Sequence, residues 1–506
     1  MAGRLLRVKL NTFSSLAHQL VTTLCGLVIP WIMIDTFGST AYGITISIAQ
    51  FLSYITLLEG GIGRVARGAL YKPLAERNEE QISQVYLAVK RFFAAIGIVF
   101  AVYVVILAFG YHSMAHVTAF SWEYTAALVV GIALGKFAEY MSGFSKITLL
   151  HADQKYYVVN AVFIITNILN VILIVVLAKS GVDILWVKVV SSLVFVLRPV
   201  LYTLYVRRHY RLRRHGVKAT LPNKFTGIAQ HTAYVIQDNT DVMLLTLIAD
   251  LRAVAVYAVY HLVVISLRNI TASFTGGMEA LLGEMAAKGE QETLRKTYHS
   301  YKLILTVLTL MLFGTAAIVI VPFVKLYTEG TTDANYVRPV FAFILVIAEA
   351  LNCLTLPCFN LTIAANKLKQ SQIGAYGEAA INVAVSLVLM LVWDPLIGVA
   401  IGTLVSVIFK CIYYTAFAGK HILKMKVTPL FLRLGITTLV LIGFALGGIW
   451  LIRDVLIYKY TQWVVWGIGF AIATGLWGLV VGMMLYPGHL KNLKSKLLSK
   501  RKSKAH

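Results

Sequence analysis

Charged residues are scarce in this chain. Only 13% of its 506 residues are charged, 58% are hydrophobic, and the mean hydropathy is +0.77. A soluble domain carries about 25% charged residues, so this balance excludes an ordinary soluble protein. Apolar runs of about 20 residues recur instead, and each is long enough to cross about 30 Å of hydrocarbon as a helix. The chain is therefore predicted to be an all-α, polytopic membrane protein.

Acidic residues and cysteines are scarcer still. The chain has 22 acidic residues against 46 Lys and Arg, which gives a formal net charge of +24. The basic residues lie mainly in short loops between apolar runs, which favours a role in membrane topology over a nucleic-acid partner. All four cysteines lie in apolar runs, so we expect neither disulfides nor a metal site. The chain has no Walker pattern, and we expect no bound cofactor.

About fourteen apolar runs qualify as transmembrane spans. Most Lys and Arg residues of the loops fall on the face that holds the N terminus, which places that face in the cytoplasm. An even number of spans returns the C terminus to the same side. The first run lacks a small-residue cleavage site and is expected to remain as a span. The approximate span cores are residues 14–35, 41–63, 90–110, 124–149, 157–178, 183–206, 226–249, 254–284, 302–326, 338–363, 373–393, 396–417, 430–451 and 462–486.

Two halves of the chain repeat each other. The offsets run from 394 − 183 = 211 to 250 − 35 = 215 residues. Such constancy favours two parallel six-helix repeats over chance similarity between apolar segments, and parallel repeats are typical of alternating-access transporters with a central cavity. The matching stretches are residues 35–43 with 250–258, residues 152–155 with 364–367, Asn170 with Asn382, and Asp183 with Asp394.

The repeat predicts four parts of the chain. Two six-helix lobes are followed by an added helix pair and a basic tail. In the tail, leucines at helical spacing alternate with lysines, which predicts an amphipathic helix on anionic lipid or a solvated tail that fixes topology. The predicted parts are residues 1–217, 218–428, 429–486 and 487–506.

Four short motifs carry a family resemblance. They are residues 37–43 after span 1, residues 58–63 at the end of span 2, residues 238–241 in span 7 and residues 256–258 at the start of span 8. In this order the chain resembles, over essentially its whole length, the polysaccharide exporter family, which includes O-antigen flippases. Its superfamily also contains lipid II flippases and drug/cation antiporters. Many relatives have an aspartate before the glycines of span 2, where this chain has Glu59.

The resemblance implies a substrate, partners and a location. The substrate would be an undecaprenyl-pyrophosphate-linked oligosaccharide repeat unit for lipopolysaccharide O-antigen or exopolysaccharide. It would move from the inner to the outer leaflet of a bacterial inner membrane. A polysaccharide polymerase and a chain-length regulator would be partners, beside the membrane lipids.

Ionisable side chains inside spans mark candidate sites, because each is costly in lipid unless it is paired or hydrated. Arg268 lies near the middle of span 8 beside Asn269, and Arg64 and Arg67 lie at the cytoplasmic end of span 2. A guanidinium can hold two pyrophosphate oxygens at once. We predict a mid-membrane phosphate contact at Arg268 and first cytoplasmic contacts at Arg64 and Arg67. The alternatives are an internal ion pair for Arg268 and topological anchoring for the other two.

Carboxylates inside spans are candidates for ion coupling. Asp238 and Asp241 lie three residues apart on one face of span 7. Neighbouring carboxylates in a low dielectric favour proton uptake or cation binding. With Glu59 and Glu349 they could couple transport to an H⁺ or Na⁺ gradient, and the alternative is that they neutralise cations of other spans.

Spans 4 and 6 contribute two further candidate contacts with the substrate. Lys136 lies three residues from Glu139, so it either forms a local ion pair or contacts the substrate. Arg198 either contacts the substrate or supplies a partner for Glu349 or Glu378.

A flippase that works by alternating access is the leading hypothesis, with spans 13 and 14 as a groove for the polyprenyl tail. The alternative is a cation-coupled exporter of small amphipathic drugs, although such relatives usually have twelve spans. A membrane enzyme is disfavoured because the outer loops are short. We therefore expect a transporter and not an enzyme.

Overall fold

The structure is a computed structural model that describes residues 2–60, 62–212, 228–455 and 457–487. Within these ranges the chain is helical and contains no strand, so the predicted all-α class is confirmed. The helices are α1 (Ala2–Ser53), α2 (Ile62–Glu76), α3 (Glu79–Met114), α4 (Trp122–Ala138), α5 (Phe144–Ala152), α6 (Tyr156–Lys179), α7 (Ile184–His209), α8 (Ile228–Ile248), α9 (Leu251–Ser273), α10 (Gly276–Lys288), α11 (Gln291–Tyr327), α12 (Pro339–Ala364), α13 (Leu368–Val392), α14 (Pro395–Phe417), α15 (Thr428–Ile452) and α16 (Tyr460–Leu485).

Twelve segments of the described ranges are long and apolar enough to cross a membrane. The count falls below about fourteen predicted spans for two reasons. Predicted spans 1 and 2 are counted together as the segment Lys9–Glu59, which breaks at Gly38, and within the described part of α8 the apolar segment Asn239–Ile248 is too short to count. The chain is a multi-pass membrane protein. The predicted lobe boundary at 217/218 lies outside the described residues, as does nearly all of the predicted basic tail.

Large apolar side chains are exposed along most helices. Phe13, Leu391 and Met484 are more than two-thirds exposed. In water such surfaces would favour association, whereas hydrocarbon solvates them without cost. Some polar side chains, such as Thr166, Arg198 and Glu378, are instead buried, where each needs a partner.

The described chain forms two compact units. The first comprises Met1–Val256 with Gly330–Ala334, and the second comprises Tyr257–Glu329 with Asn335–His506. The core of the first is built on large side chains such as Phe100, Tyr140 and Tyr202. The core of the second includes Tyr298 and Tyr414.

The C-terminal pair, α15 and α16, packs on α11 within the second unit. The Thr474 hydroxyl of α16 lies 3.0 Å from that of Thr315. Gly478 lets α16 approach closely, because a Cβ there would lie 3.3 Å from the Val307 carbonyl oxygen. The added pair is therefore joined to its unit by close helix contacts, as small residues allow in membranes.

Equivalent turns recur in the two units. In the first, the Lys155 amide donates to the Leu150 carbonyl at 2.8 Å, and in the second the Lys367 amide donates to the Thr362 carbonyl at 3.1 Å. Gln154 and Asn366, each one residue earlier, both have φ = 57°. These are matching left-handed helix ends.

Equivalent side-chain pairs recur as well. Ser191 donates to the Asn170 side chain at 2.6 Å, and the Asn382 side chain donates to Thr403 at 3.2 Å. Both pairs are 21 residues apart in sequence, and 382 − 170 = 212 separates them. The repeat seen in the sequence is therefore present in local geometry, while the predicted lobe boundaries stay predictions.

A break inside α1 explains the first family-like motif. Gly38 has φ = 81°, which only glycine adopts without strain. The helix restarts at Ser39, whose amide and hydroxyl both donate to the Asp333 carboxylate, at 2.7 and 2.6 Å. Farther along, a Cβ on Gly43 would meet the Leu251 carbonyl oxygen at 1.8 Å, so this position requires glycine.

Candidate functional site

The first unit contains a cavity of about 370 Å³ between α1, α4, α6 and α7. We call it the first-unit cavity. Among its lining residues are three cations and one carboxylate, namely Lys136, Lys188, Arg198 and Glu139. A π-helical turn, Glu139–Gly143, follows α4 at this point and places the carboxylate in the wall. Such turns are often found at functional sites.

Arg198 is held on all sides. Its Nη1 lies 3.1 Å from the Glu139 carboxylate, and its Nε donates to the Thr166 hydroxyl at 2.9 Å. Its Nη2 donates to Asn167 at 2.7 Å, and the guanidinium lies over two phenylalanine rings. A guanidinium this well satisfied is a fixed part of the wall.

These contacts correct two pairings expected from the sequence. Glu139 is the partner of Arg198 and does not form a salt bridge with Lys136. Glu349 pairs with Arg268 rather than with Arg198. Sequence spacing predicts which residues are neighbours on one helix. The partner of a buried charge can instead come from the helix that packs against it, and here α7 supplies Arg198.

The two lysines of the cavity are less well neutralised. Lys136 is influenced electrostatically by Glu59 and Glu139, but among the described residues it forms no salt bridge. Glu59 itself accepts a hydrogen bond from the Tyr140 hydroxyl at 2.6 Å. Lys188 has neither a hydrogen-bond nor an ion-pair partner in the described part of the chain. The three cations of the cavity exceed the two carboxylates, Glu139 and Glu59, by one, so the formal charge of this group of residues is +1.

Lys188 was missed by the sequence reasoning. It lies within predicted span 6, so the rule that selected Arg198 from the same span applies to it equally. A position near the start of α7 makes it resemble an anchoring residue. Only the structure shows that it lines a cavity.

Two cations of the second unit, Arg268 and Lys410, form ion pairs. Arg268 Nη1 lies 3.4 Å from Glu349, which also accepts from Asn352 at 3.3 Å. Lys410 lies 3.1 Å from Glu378, whose side chain is 2% exposed. Arg268 therefore forms the internal ion pair that the sequence left as an alternative to a phosphate contact. Asn269, next to Arg268, is exposed.

The other predicted residues lie on α2 and α8. Arg67 belongs to the separate helix α2 rather than to the end of a span and lies close enough to His151 for their charges to interact. Asp241 is buried on α8. The side chains of Arg64 and Asp238 lie outside the described residues. Whether any of these residues binds substrate or ions stays a prediction.

An apolar cavity of about 280 Å³ lies in the second unit. Its wall comes from α11 and α16 and from Phe274, which follows α9, with α11 contributing most of it. The predicted tail groove was assigned to spans 13 and 14, of which only α16 contributes here, through Leu479. The lining residues are Phe274, Leu303, Ile304, Val307, Leu308, Met311 and Leu479.

Solved structures of membrane transporters have a similar fold, and one of them is described as a member of the MOP superfamily. An inward-facing multidrug resistance MATE family transporter of that superfamily matches with a TM-score of 0.60 at 14% identity, covering 78% of this chain and 94% of its own. The MATE multidrug transporter DinF-BH matches with a TM-score of 0.55 at 16% identity, covering 83% of this chain and 97% of its own.

The lipid II flippase MurJ, in an inward closed conformation, matches over a larger share. The TM-score is 0.67 at 13% identity, and the match covers 94% of this chain and 98% of MurJ. No family model matches the chain, and no curated protein does. At these identities the similarity shows a shared fold.

Proposed function

We propose that the chain is a flippase for an anionic lipid-linked substrate, namely undecaprenyl-pyrophosphate-linked oligosaccharide repeat units, moved by alternating access. The surplus of positive charge in the first-unit cavity carries this proposal. The setting would be the inner membrane of a bacterium that builds surface polysaccharide, with the polymerase and chain-length regulator as partners.

The charge of the cavity discriminates between anionic and cationic substrates. Two unit charges 4 Å apart interact by about 4 kcal/mol at an effective dielectric constant of about 20. Lys188 would therefore repel a cationic drug and attract a phosphate. Its ammonium has three donors, and among the described residues none is used. A diphosphate supplies several acceptor oxygens of the required charge.

The extent of the structural match also supports a lipid-linked substrate. The flippase match covers 94% of this chain, whereas the two multidrug matches cover 78% and 83%. The chain has α15 and α16 beyond the twelve spans expected of drug exporters. The apolar cavity beside α16 could hold part of a polyprenyl chain, because its wall contributes almost no polar surface.

Coupling to H⁺ or Na⁺ is part of the proposal and would use the predicted carboxylates. Glu59 is the best placed of them, because it accepts a hydrogen bond from the Tyr140 hydroxyl and interacts electrostatically with Lys136. Protonation of Glu59 would increase the positive charge around Lys136. The other candidates are Asp238, Asp241 and Glu349.

Reconstitution tests the proposal directly. Purified protein is placed in liposomes that contain a fluorescent undecaprenyl-pyrophosphate oligosaccharide, and transfer is followed by the fraction that dithionite can quench. Loss of a hydrogen bond to a charged group costs about 1.5–3 kcal/mol, so Lys188→Gln should slow transfer about tenfold or more.

Lys179→Gln is the matched control, because Lys179 ends the neighbouring helix α6 and is exposed. It should leave transfer within about twofold of the unmodified protein, since an exposed charge is screened by solvent. If the wild-type protein transported a cationic rhodamine and left the labelled lipid in place, the multidrug alternative would replace this proposal.

A further inference from the structure

A second polar pocket lies at the other end of α7, away from the first-unit cavity. Its volume is about 610 Å³, and helices α3, α5 and α7 form its wall together with the residues that follow α7. We call it the basic pocket. The loop charges predict that this end of the helices faces the cytoplasm. Its polar lining residues include Lys90, Ser142, Lys146, Arg207, Tyr210 and Arg211.

The basic pocket has four cations and no carboxylate among its described lining residues. The nearest acidic group that the structure connects to it is Asp153, which accepts a hydrogen bond from Tyr210 at 2.5 Å. That carboxylate is already engaged by Lys155 at 2.8 Å and by Arg7 at 3.6 Å. It is therefore not available to neutralise the pocket.

Lys146 distinguishes this pocket from an ordinary basic surface. It is only 5% exposed, and its ammonium donates to the Ser142 hydroxyl at 2.6 Å and to the Ser142 carbonyl. Lys90 and Arg207 lie close enough to repel it. A buried ammonium without a counter-charge is costly. Positive-inside topology needs basic residues at the surface, so it accounts for Lys90 and Arg207 and leaves the burial of Lys146 unexplained.

We propose that the basic pocket binds a phosphate group at the cytoplasmic face, separately from the transport cavity. Lys146 would meet the phosphate from the floor with its remaining donor. Arg207 and Arg211 would close on it from the rim, where a guanidinium can hold two oxygens. The phosphate belongs either to the headgroup of an anionic membrane lipid or to a soluble phosphate ester. The inference rests on the pocket alone and not on the proposed transport function.

Two binding measurements distinguish the sources. In the first, the full chain in micelles is titrated with phosphatidylglycerol or phosphatidylcholine, and bound lipid is counted by native mass spectrometry. In the second, the chain in phosphatidylcholine nanodiscs is titrated with inorganic pyrophosphate by calorimetry. Retention of phosphatidylglycerol alone identifies a lipid headgroup, and binding of pyrophosphate alone identifies a soluble ester. Either result supports the site, and binding of neither overturns it.

Neighbouring arginines provide the matched variants. Arg207 and Arg208 are both exposed and adjacent on α7, but only Arg207 lines the pocket. Arg207→Gln should weaken binding about tenfold, as expected for loss of a charge-assisted hydrogen bond, and Arg208→Gln by less than about twofold. Equal weakening would show diffuse attraction to the basic surface and would overturn the proposal.

Lys146→Met tests the floor of the pocket. It removes the charge at similar volume, so the protein should still fold, and its Tm without added phosphate should not fall. Binding should weaken at least as much as in Arg207→Gln. Unchanged binding in a folded Lys146→Met protein would also refute the proposal.

Discussion

The two units place a cation at the same position of the repeat and neutralise it differently. Arg198 and Lys410 are equivalent, since 410 − 198 = 212, and each contacts a residue 32 positions earlier. In the second unit that residue is Glu378, at 3.1 Å. In the first unit it is Thr166, whose hydroxyl accepts from Arg198 at 2.9 Å.

This exchange of a carboxylate for a hydroxyl gives the two equivalent cations different counter-charges. Lys410 is neutralised by its equivalent partner, whereas Arg198 takes Glu139 as its counter-charge. Glu139 is thereby less available to Lys136, and the first-unit cavity remains positive.

Breaking the pair of the second unit should have the largest effect. Glu378→Gln leaves Lys410 buried without its counter-charge, and removal of one partner of a buried pair costs about 3–5 kcal/mol. We expect a strongly lowered Tm of the purified protein. The double variant Glu378→Gln with Lys410→Met should recover most of the loss, because no buried charge remains. A single variant as stable as the wild type would show that water reaches Lys410.

Introducing the carboxylate of the second unit at the equivalent position of the first should slow transport while the protein remains folded. Thr166→Glu places a carboxylate beside Arg198, releases Glu139 towards Lys136 and cancels the positive charge of the cavity. Transfer of the labelled lipid should slow about tenfold, as for loss of one charged contact. Thr166→Gln has the same shape without the charge and should be slowed much less. If both variants were equally slow, crowding and not charge would explain the loss.

The repeat was predictable because equivalent contacts in the two units are made by residues at equivalent positions in the sequence. Helix caps and turns depend on residues close in sequence, and the Asn170 and Asn382 pairs each join two consecutive helices, so matching residues gave matching geometry. Apolar length alone gave the membrane class.

The pairing of charges was not predictable in the same way. Glu139 is three residues from Lys136 yet pairs with Arg198, which is 59 residues away. Helix packing decides such pairs, and one sequence does not show which faces meet. Lys146 and Lys188 were equally visible as charges inside predicted spans, but only the tertiary structure shows that each lines a cavity.

The smallest expected effects concern the equivalent helix caps. Asp183 accepts from the Leu185 amide at 2.8 Å, and Asp394 accepts from the Leu396 amide at 3.0 Å. Replacement of either by alanine should cost about 1 kcal/mol, since one turn of amides loses its acceptor. The Tm of each purified variant measures the loss of stability. Losses of similar size would show that the two equivalent caps contribute similarly to stability as well as having the same geometry.

Asparagine at the same two positions separates the cap from the charge. Asn keeps an oxygen for the helix amides, so Asp183→Asn should cost little. Asp394 also forms a salt bridge with Arg338 at 3.3 Å, but both side chains are more than one-third exposed, and such pairs contribute about 0–1 kcal/mol. Asp394→Asn should therefore also be mild. A loss in Asp394→Asn as large as in Asp394→Ala would mean that the ion pair, and not the cap shared with Asp183, stabilises the start of α14.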